Sequence, residues 1–336
     1  MERDDNITYN LQNIYTDLAV EAHNLAVERS GRGEVRGVSL KEDSTENAKV
    51  TRVEVLDQQG AEVLGKPIGK YVTIESDGLQ GQNRMVHNNL SETLGRELEA
   101  LINIGEIPTT REEPVILVVG LGNWNATPDA LGPYILNYLM VTRHMYDQSP
   151  PEVRQGMRSV CALAPGVLGI TGIQTAEIIR GVVEFVKPDL LVAIDSLAAR
   201  STERLGKTIQ LSDTGIYPGS GIGKNRMGLN KETMNIPVFA LGVPTVVEAG
   251  TIVNDALGEI INSDLFSSTA RERYRNIGEQ QIRNTINNVV THKMGRMIVS
   301  PKGIDELIKD VSRIIAGGIN IALHPEITSE NLSLYL

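Results

Sequence analysis

Residues 114–129 read PVILVVGLGNWNATPD, an unbroken apolar run that gives way to a polar, glycine-bearing turn and ends at Asp129. Residues 189–195 repeat the plan, with DLLVAID running through five apolar residues to Asp195. Runs of Val, Ile and Leu without alternation suit strands covered on both faces, as in a parallel sheet. In open α/β sheets the ligand crevice lies beyond the carboxyl ends of such strands. Two aspartates at equivalent post-strand positions can therefore stand close together, and a close pair of carboxylates can share one proton and perform acid–base chemistry. Taken singly, each reads as a loop carboxylate or a helix cap, and Thr127-Pro128-Asp129 could simply open the next helix.

Outward from these runs, strand and helix patterns alternate. SVCALAP (159–165), KTIQLS (207–212) and IPVFALGVP (236–244) read as strands. TAEIIRGVVEFVK (175–187) and residues 246–262 read as helices, as does ALGPYILNYLMVTRHMY (130–146), interrupted near Pro133. The alternation requires a twisted, mostly parallel sheet between helices, an α/β fold. Upstream, residues 18–30 carry one apolar stripe and predict a helix. Residues 34–75 alternate in the strand manner around a connection at Gln59-Gly60 and predict an N-terminal β-rich extension. A helix is predicted over 87–105 with Asn89 or Ser91 as its cap, and another over 300–324. One domain over 18–336 is expected, with the polar stretch 263–299 as a mobile excursion.

The 336 residues are 41% hydrophobic and 22% charged, enough apolar content for a packed core. A net charge of -10 argues against a general nucleic-acid binder. The single cysteine, Cys161, excludes an intrachain disulfide and a multi-cysteine zinc site, and its apolar context makes it a small core residue. MERDDNITYNLQ is no secretory signal, and no apolar run is long enough to span a membrane, so a cytoplasmic protein is expected.

Three motifs carry less than their appearance. Gly120-Leu121-Gly122 follows a strand, but the third glycine of a dinucleotide fingerprint is replaced by Asn125 and no phosphate-loop lysine follows, so these glycines serve a tight turn. Asp213-Thr214-Gly215 matches the triplet of two-lobed aspartic proteases, yet occurs once and amid turn formers, so Asp213 reads as a turn residue. None of the five histidines lies in a ligand arrangement; His144, following Asp129 on the next helix, is the one to watch.

GLGNWNATPDALGP (120–133), LAPGVLGITGIQTAEII (163–179), VKPDLLVAIDSLAARS (186–201), QLSDTGIYPGSGIG (210–223), VPTVVEAGTI (243–252) and AGGINIALHPEI (316–327) are separated motifs in one order. Together they resemble the germination proteases of spore-forming Firmicutes, endopeptidases that degrade the small acid-soluble proteins coating spore DNA. The resemblance covers most of the chain, although 263–299 is shorter than in better-known members. It implies a fold similar to the hydrogenase maturation proteases and an atypical aspartic mechanism using Asp129 and Asp195, with no metal and no cofactor. The alternative is a metal-dependent peptidase or amidase using the same aspartates.

The resemblance also implies a zymogen that removes its own prosegment at a substrate-like sequence. Thr16-Asp17-Leu18-Ala19-Val20-Glu21-Ala22 supplies it, with Asp17–Leu18 as the implied scissile bond and residues 1–17 as the prosegment; this chain is then the precursor. By the same resemblance the partners are small acid-soluble spore proteins as substrate and further copies in a homotetramer, with no direct nucleic-acid or membrane contact, in the forespore or spore core. Cleavage after an acidic residue calls for a positive or hydrogen-bonding pocket. Arg200, five residues after Asp195, is the candidate, with Lys224 and Arg226 behind it.

Overall fold

The structure, a computed structural model, describes residues 16–31, 33–148, 150, 154, 156–217, 227–263, 267–277, 281–282, 285–286, 289, 297–328 and 330–331. Among the described residues nine strands form a single sheet: β1 (Val38–Ser44), β2 (Lys49–Val55), β3 (Gly69–Glu75), β4 (Val115–Gly120), β5 (Ser159–Leu163), β6 (Leu190–Ala199), β7 (Thr208–Ser212), β8 (Val238–Glu248) and β9 (Ile298–Val299). Their order is β1-β2-β3-β7-β8-β6-β4-β5, with β9 added against β8. Strands β5, β4, β6 and β8 run parallel. β7 joins β8 antiparallel and leads into the antiparallel β1–β3 ribbon, so the N-terminal extension continues the same sheet.

The principal helices are α1 (Ala19–Ser30), α2 (Gln58–Leu64), α3 (Arg84–Ile102), α4 (Leu131–Ile135), α5 (Thr175–Val186), α6 (Ala249–Asn262) and α7 (Ile304–Leu323). The apolar runs are continuous because both faces of the parallel strands are covered. Ile116, Val118, Leu190, Val192 and Ile194 belong to the core under α3, α4 and α7. Their alternates Leu117, Val119, Leu191 and Ala193 pack on the other face with Ala176, Ile179 and Val183 of α5. A period of two along each strand divides the residues between these cores.

Several boundaries differ from the sequence pattern, each for a local reason. β6 does not stop at Asp195; it continues to Ala199 because Ser196 to Ala199 keep pairing with β8, with a bulge at Leu197/Ala198. The Gln59-Gly60 connection is a short helix, α2, capped by the Asp57 side chain on Gly60 N–H. α3 begins earlier than predicted because Asn83 caps it by accepting from Met85 and Val86 N–H. Ser91 instead donates to Ile314 O of α7 at 2.9 Å. Pro133 falls inside the short α4, where the missing N–H costs little, and the helical pattern breaks at 139–142 before resuming at Arg143–Gln148. The stretch 263–299 contains helix Ser268–Ile277 and β9, and much of the remainder lies outside the described residues.

α3 and α7 cross closely at small residues. A Cβ at Gly318 would stand 2.6–2.8 Å from Leu94 side-chain atoms, and one at Gly95 would stand 2.7 Å from Ile321 Cγ2. Gly318→Ala is therefore expected to force the two helices apart and lower stability by about 1–3 kcal/mol, the usual cost of overpacking. Denaturant unfolding measures it, and an unchanged midpoint would contradict the close crossing.

Candidate active site

Asp129 and Asp195 meet where β4 ends and β6 continues. β4 closes at Gly120, opposite Ile194, and Leu121 N–H adds one more ladder bond to Ile194 O at 2.7 Å. Asp195 is thus the first β6 residue beyond the end of its β4 neighbour. It remains inside β6, facing Gly242 of β8, and is buried. Asp129 closes a 3-10 turn over Thr127–Asp129, with Pro128 supplying the fixed φ at its start.

Backbone packing holds this turn against the strand end. Gly122 has φ +116°, and a Cβ there would lie 1.9 Å from Asp129 O. A Cβ on Gly120 would lie 2.3 Å from Gly132 O. The two glycines of Gly120-Leu121-Gly122 therefore permit the chain to turn back on itself and seat Asp129. Asn123 N–H donates to Asp129 O at 2.9 Å. Two further anchors had no signal in the sequence: Thr245 of β8 donates to Pro128 O at 2.6 Å, and Thr127 donates to Asp305 at the start of α7 at 2.9 Å.

The two carboxyls differ in electrostatic setting. Burial pushes Asp195 well above the usual carboxylate range, and the negative charges of Asp129 and Asp17 push the same way, against the Ser196 N–H donated at 2.8 Å. Burial raises Asp129 to about 6, opposed by the Asn123 backbone N–H. A carboxylate out of water beside a second carboxylate is held neutral. Both carboxyls are therefore pushed toward the protonated form, Asp195 from a buried position and Asp129 from a half-buried one, and two carboxyls in unlike environments are suited to acid–base work.

The segment around Asp17 docks beside this pair. Asp17 N–H donates to Ala198 O at 3.3 Å, and the Asp17 carboxylate accepts Ala198 N–H at 2.8 Å. Leu18 is fully buried against Leu197, Ala199 and Val247, and its N–H donates to Thr16 Oγ1 at 3.1 Å. Glu21, also buried, accepts from Thr16 Oγ1, from Arg200 N–H at 2.9 Å and Ser201 N–H at 3.2 Å, and lies 3.6 Å from Arg204 Nε. Arg200 thus borders the docked segment and holds Glu21 through its main chain. Lys66 Nζ donates to Thr16 O and Asp17 O.

Other sequence candidates stand elsewhere. Asp213 accepts Lys70 N–H at 2.7 Å and ties its turn to β3. Cys161 is half-buried, donates to Ile116 O at 3.5 Å, and burial raises its thiol pKa. His144 is exposed on the Arg143–Gln148 helix. Lys224 and Arg226 lie outside the described residues. Among the described residues, no group of three or more His, Cys, Asp or Glu side chains is arranged to hold a metal ion. No helix among them is long and apolar enough to cross a membrane.

A family model described as germination protease matches residues 19–277 and 273–336. A germination protease of Clostridium perfringens is 45% identical over 331 residues, covering 97% of this chain and 100% of that protein. One from Caldanaerobacter subterraneus subsp. tengcongensis is 44% identical over 96% of this chain and 98% of its own length. One from Priestia megaterium is 38% identical over 96% of each. The solved structure of a NiFe hydrogenase maturation protease, HycI from Thermococcus kodakarensis KOD1, aligns with a TM-score of 0.32 and 15% identity, covering 67% of this chain and 99% of that one.

The raised pKa of Asp129 has a consequence for stability. The folded protein keeps a proton to about pH 6, whereas the unfolded chain releases it near the ordinary 3.8. The folded state thus binds more protons between these values, and stability falls as pH rises through them. Asp129→Asn removes this cost. The variant is expected to exceed the wild type in stability by on the order of 1 kcal/mol near pH 7, allowing for solvent screening, and to lose that advantage below about pH 4. Urea unfolding at the two pH values reads it, and equal stability at neutral pH would contradict a destabilised carboxylate.

Proposed function

The chain belongs to the germination protease family and is an endopeptidase; from that premise we propose that it acts by an atypical aspartic mechanism centred on Asp129 and Asp195. Asp129, the less buried of the two, is the general base that takes a proton from the attacking water. Asp195, kept protonated by burial and by its neighbours, donates a hydrogen bond to the scissile carbonyl and then a proton to the departing nitrogen. Neither role requires a resident metal. The observation that carries the reading is the buried carboxyl of Asp195, the first β6 residue beyond the end of β4, acted on by the charge of a second carboxyl, Asp129.

The substrates in this reading are small acid-soluble spore proteins in the spore core, cut after an acidic residue. The chain is a zymogen that cuts itself at Asp17–Leu18, separating prosegment 1–17 from a single α/β domain over 18–336 that assembles as a homotetramer. Support for self-cleavage comes from the docked segment: Asp17, the acidic residue before the implied bond, is hydrogen-bonded to Ala198, three residues past Asp195 on the same strand. Residues 1–15 of the prosegment lie outside the described residues. Arg200, beside that segment, contributes to the site that accepts the acidic side chain. Arg200→Ala is expected to weaken the preference for an acidic residue there.

The test is intact-mass spectrometry of the full chain held at mildly acidic pH, with and without a chelator, beside Asp129→Asn and Asp195→Asn. The expected outcome is loss of residues 1–17 from the wild type alone, unaffected by chelator. Each substitution is expected to slow cleavage at least about 10³-fold, as for loss of a group that acts in the chemical step. Substantial cleavage by either variant would overturn the two-aspartate assignment. Cleavage stopped by the chelator would establish the metal-dependent peptidase in its place.

A further inference from the structure

We propose that Lys66 is a catalytic residue of self-cleavage, the group that receives the negative charge developing on the Asp17 carbonyl oxygen. The inference rests on the reading that Asp17–Leu18 is the bond cut, and deepens it by assigning the second electrophile of the site.

The geometry comes from the end of α2. Gly65 closes that helix with φ +64°, and Lys66 N–H then bonds back to Ala61 O at 3.3 Å, with Pro67 following. The backbone of Lys66 is fixed by this turn, a glycine stop followed by proline. Its side chain reaches under the docked segment, and Nζ donates to Thr16 O at 2.9 Å and to Asp17 O at 3.0 Å. Asp17 O is the carbonyl oxygen of the implied scissile peptide. The N–H of the same peptide, on Leu18, is held by Thr16 Oγ1 at 3.1 Å. Both polar atoms of one peptide bond are therefore engaged by side chains before reaction. On one side the Asp17 N–H and carboxylate are clamped to Ala198, and on the other Ala19 N–H donates to Gln210 Oε1 at 2.9 Å.

The choice of partners separates this arrangement from an ordinary ion pair. Burial lowers the Lys66 pKa from the ordinary lysine value, and the negative charges of Asp17 and Glu21 oppose that shift and favour the ammonium. Yet the ammonium rests on two neutral main-chain oxygens rather than on either carboxylate. A cation in a water-poor site gains most where charge appears during reaction, and its donor is already at hydrogen-bond distance from the oxygen that will carry it. In the step itself, the water oxygen bonds to the Asp17 carbonyl carbon while the Asp129 carboxylate takes the water proton. The carbonyl π electrons move to the oxygen, where Lys66 and the Asp195 hydroxyl hydrogen-bond the resulting anion. The carbon–nitrogen bond then breaks, its electron pair stays on Leu18 N, and that nitrogen takes a proton from the carboxyl pair. The new α-carboxyl of Asp17 passes its proton to the Leu18 amine, so the products are a carboxylate and an ammonium, one water is consumed and the carboxyl pair again holds one proton.

The experiment compares rates of self-cleavage in the full chain for the wild type, Lys66→Met, Lys66→Gln and Lys66→Arg, read by intact mass at mildly acidic pH, with circular dichroism to establish folding. Lys66→Met is expected to slow cleavage about 10²–10³-fold, the usual loss for one oxyanion donor. Lys66→Gln keeps an N–H donor for the two carbonyls without the charge; it covers the case in which Met at this place impairs folding, and is expected to be slowed at least about tenfold. Lys66→Arg, which keeps the charge, is expected to recover much of the rate. A wild-type or faster rate in folded Lys66→Met or Lys66→Gln would overturn the proposal and make Lys66 a tether of the segment. Absence of cleavage at Asp17–Leu18 in the wild type would instead remove the self-processing reading, and this assignment with it.

Discussion

A carboxyl group buried in a strand and facing a second carboxyl is tolerated only if one of the two keeps its proton, and the arrangement around Asp195 enforces that condition. Leaving it ionised would place two like charges in a water-poor site, at a cost no neighbouring cation offsets in the contacts described for the pair. The Ser196 N–H is a single weak counterweight. The proton becomes part of the structure, and the chemistry follows from where it sits. Asp195 is buried and pushed well above the usual carboxylate range, and Asp129, more exposed, is raised to about 6.

The surrounding fold fixes the distance at which these groups act on each other. β6 outruns β4 by several residues, leaving an open step at the sheet's carboxyl end. The turn that carries Asp129 fills that step, and it fits only because Gly120, Gly122 and Gly132 bring backbone against backbone. Thr245 pins the same turn from β8. The stretch of β6 past Asp195 is not paired by β4, and the segment holding Asp17 uses Ala198 there for two hydrogen bonds. One feature, unequal strand lengths, therefore creates both the carboxylate pair and the ledge on which a peptide docks.

The parallel core and the two aspartates were legible because each follows from a short-range pattern: an apolar run covered on both faces, then a carboxylate where the run ends. The antiparallel ribbon was legible from alternation in 34–75. What escaped depends on tertiary partners. Ser196-Leu197-Ala198-Ala199 carries little strand signal of its own and is extended because β8 pairs with it. Ser91 resembles a helix cap in sequence but is taken up by Ile314 O across the helix pair. Glu21 and Arg204 come together only when α1 packs on the β2–β3 ribbon and brings its first turn beside the chain that follows β6. Lys66 reaches Asp17 across 49 positions of sequence through a helix that the pattern of 56–65 did not announce. Position after a strand could be read from the chain; convergence of distant side chains could not.

The most direct test of the account is the pH dependence of the self-cleavage rate of the full chain, measured with chelator present throughout. A base that must be ionised and a partner that must stay protonated predict a bell-shaped profile whose acid limb titrates near the Asp129 value of about 6 and whose alkaline limb reports loss of the Asp195 proton. A rate that climbs to an alkaline plateau, or one that does not titrate at all across this range, would contradict a mechanism in which two aspartates share one proton.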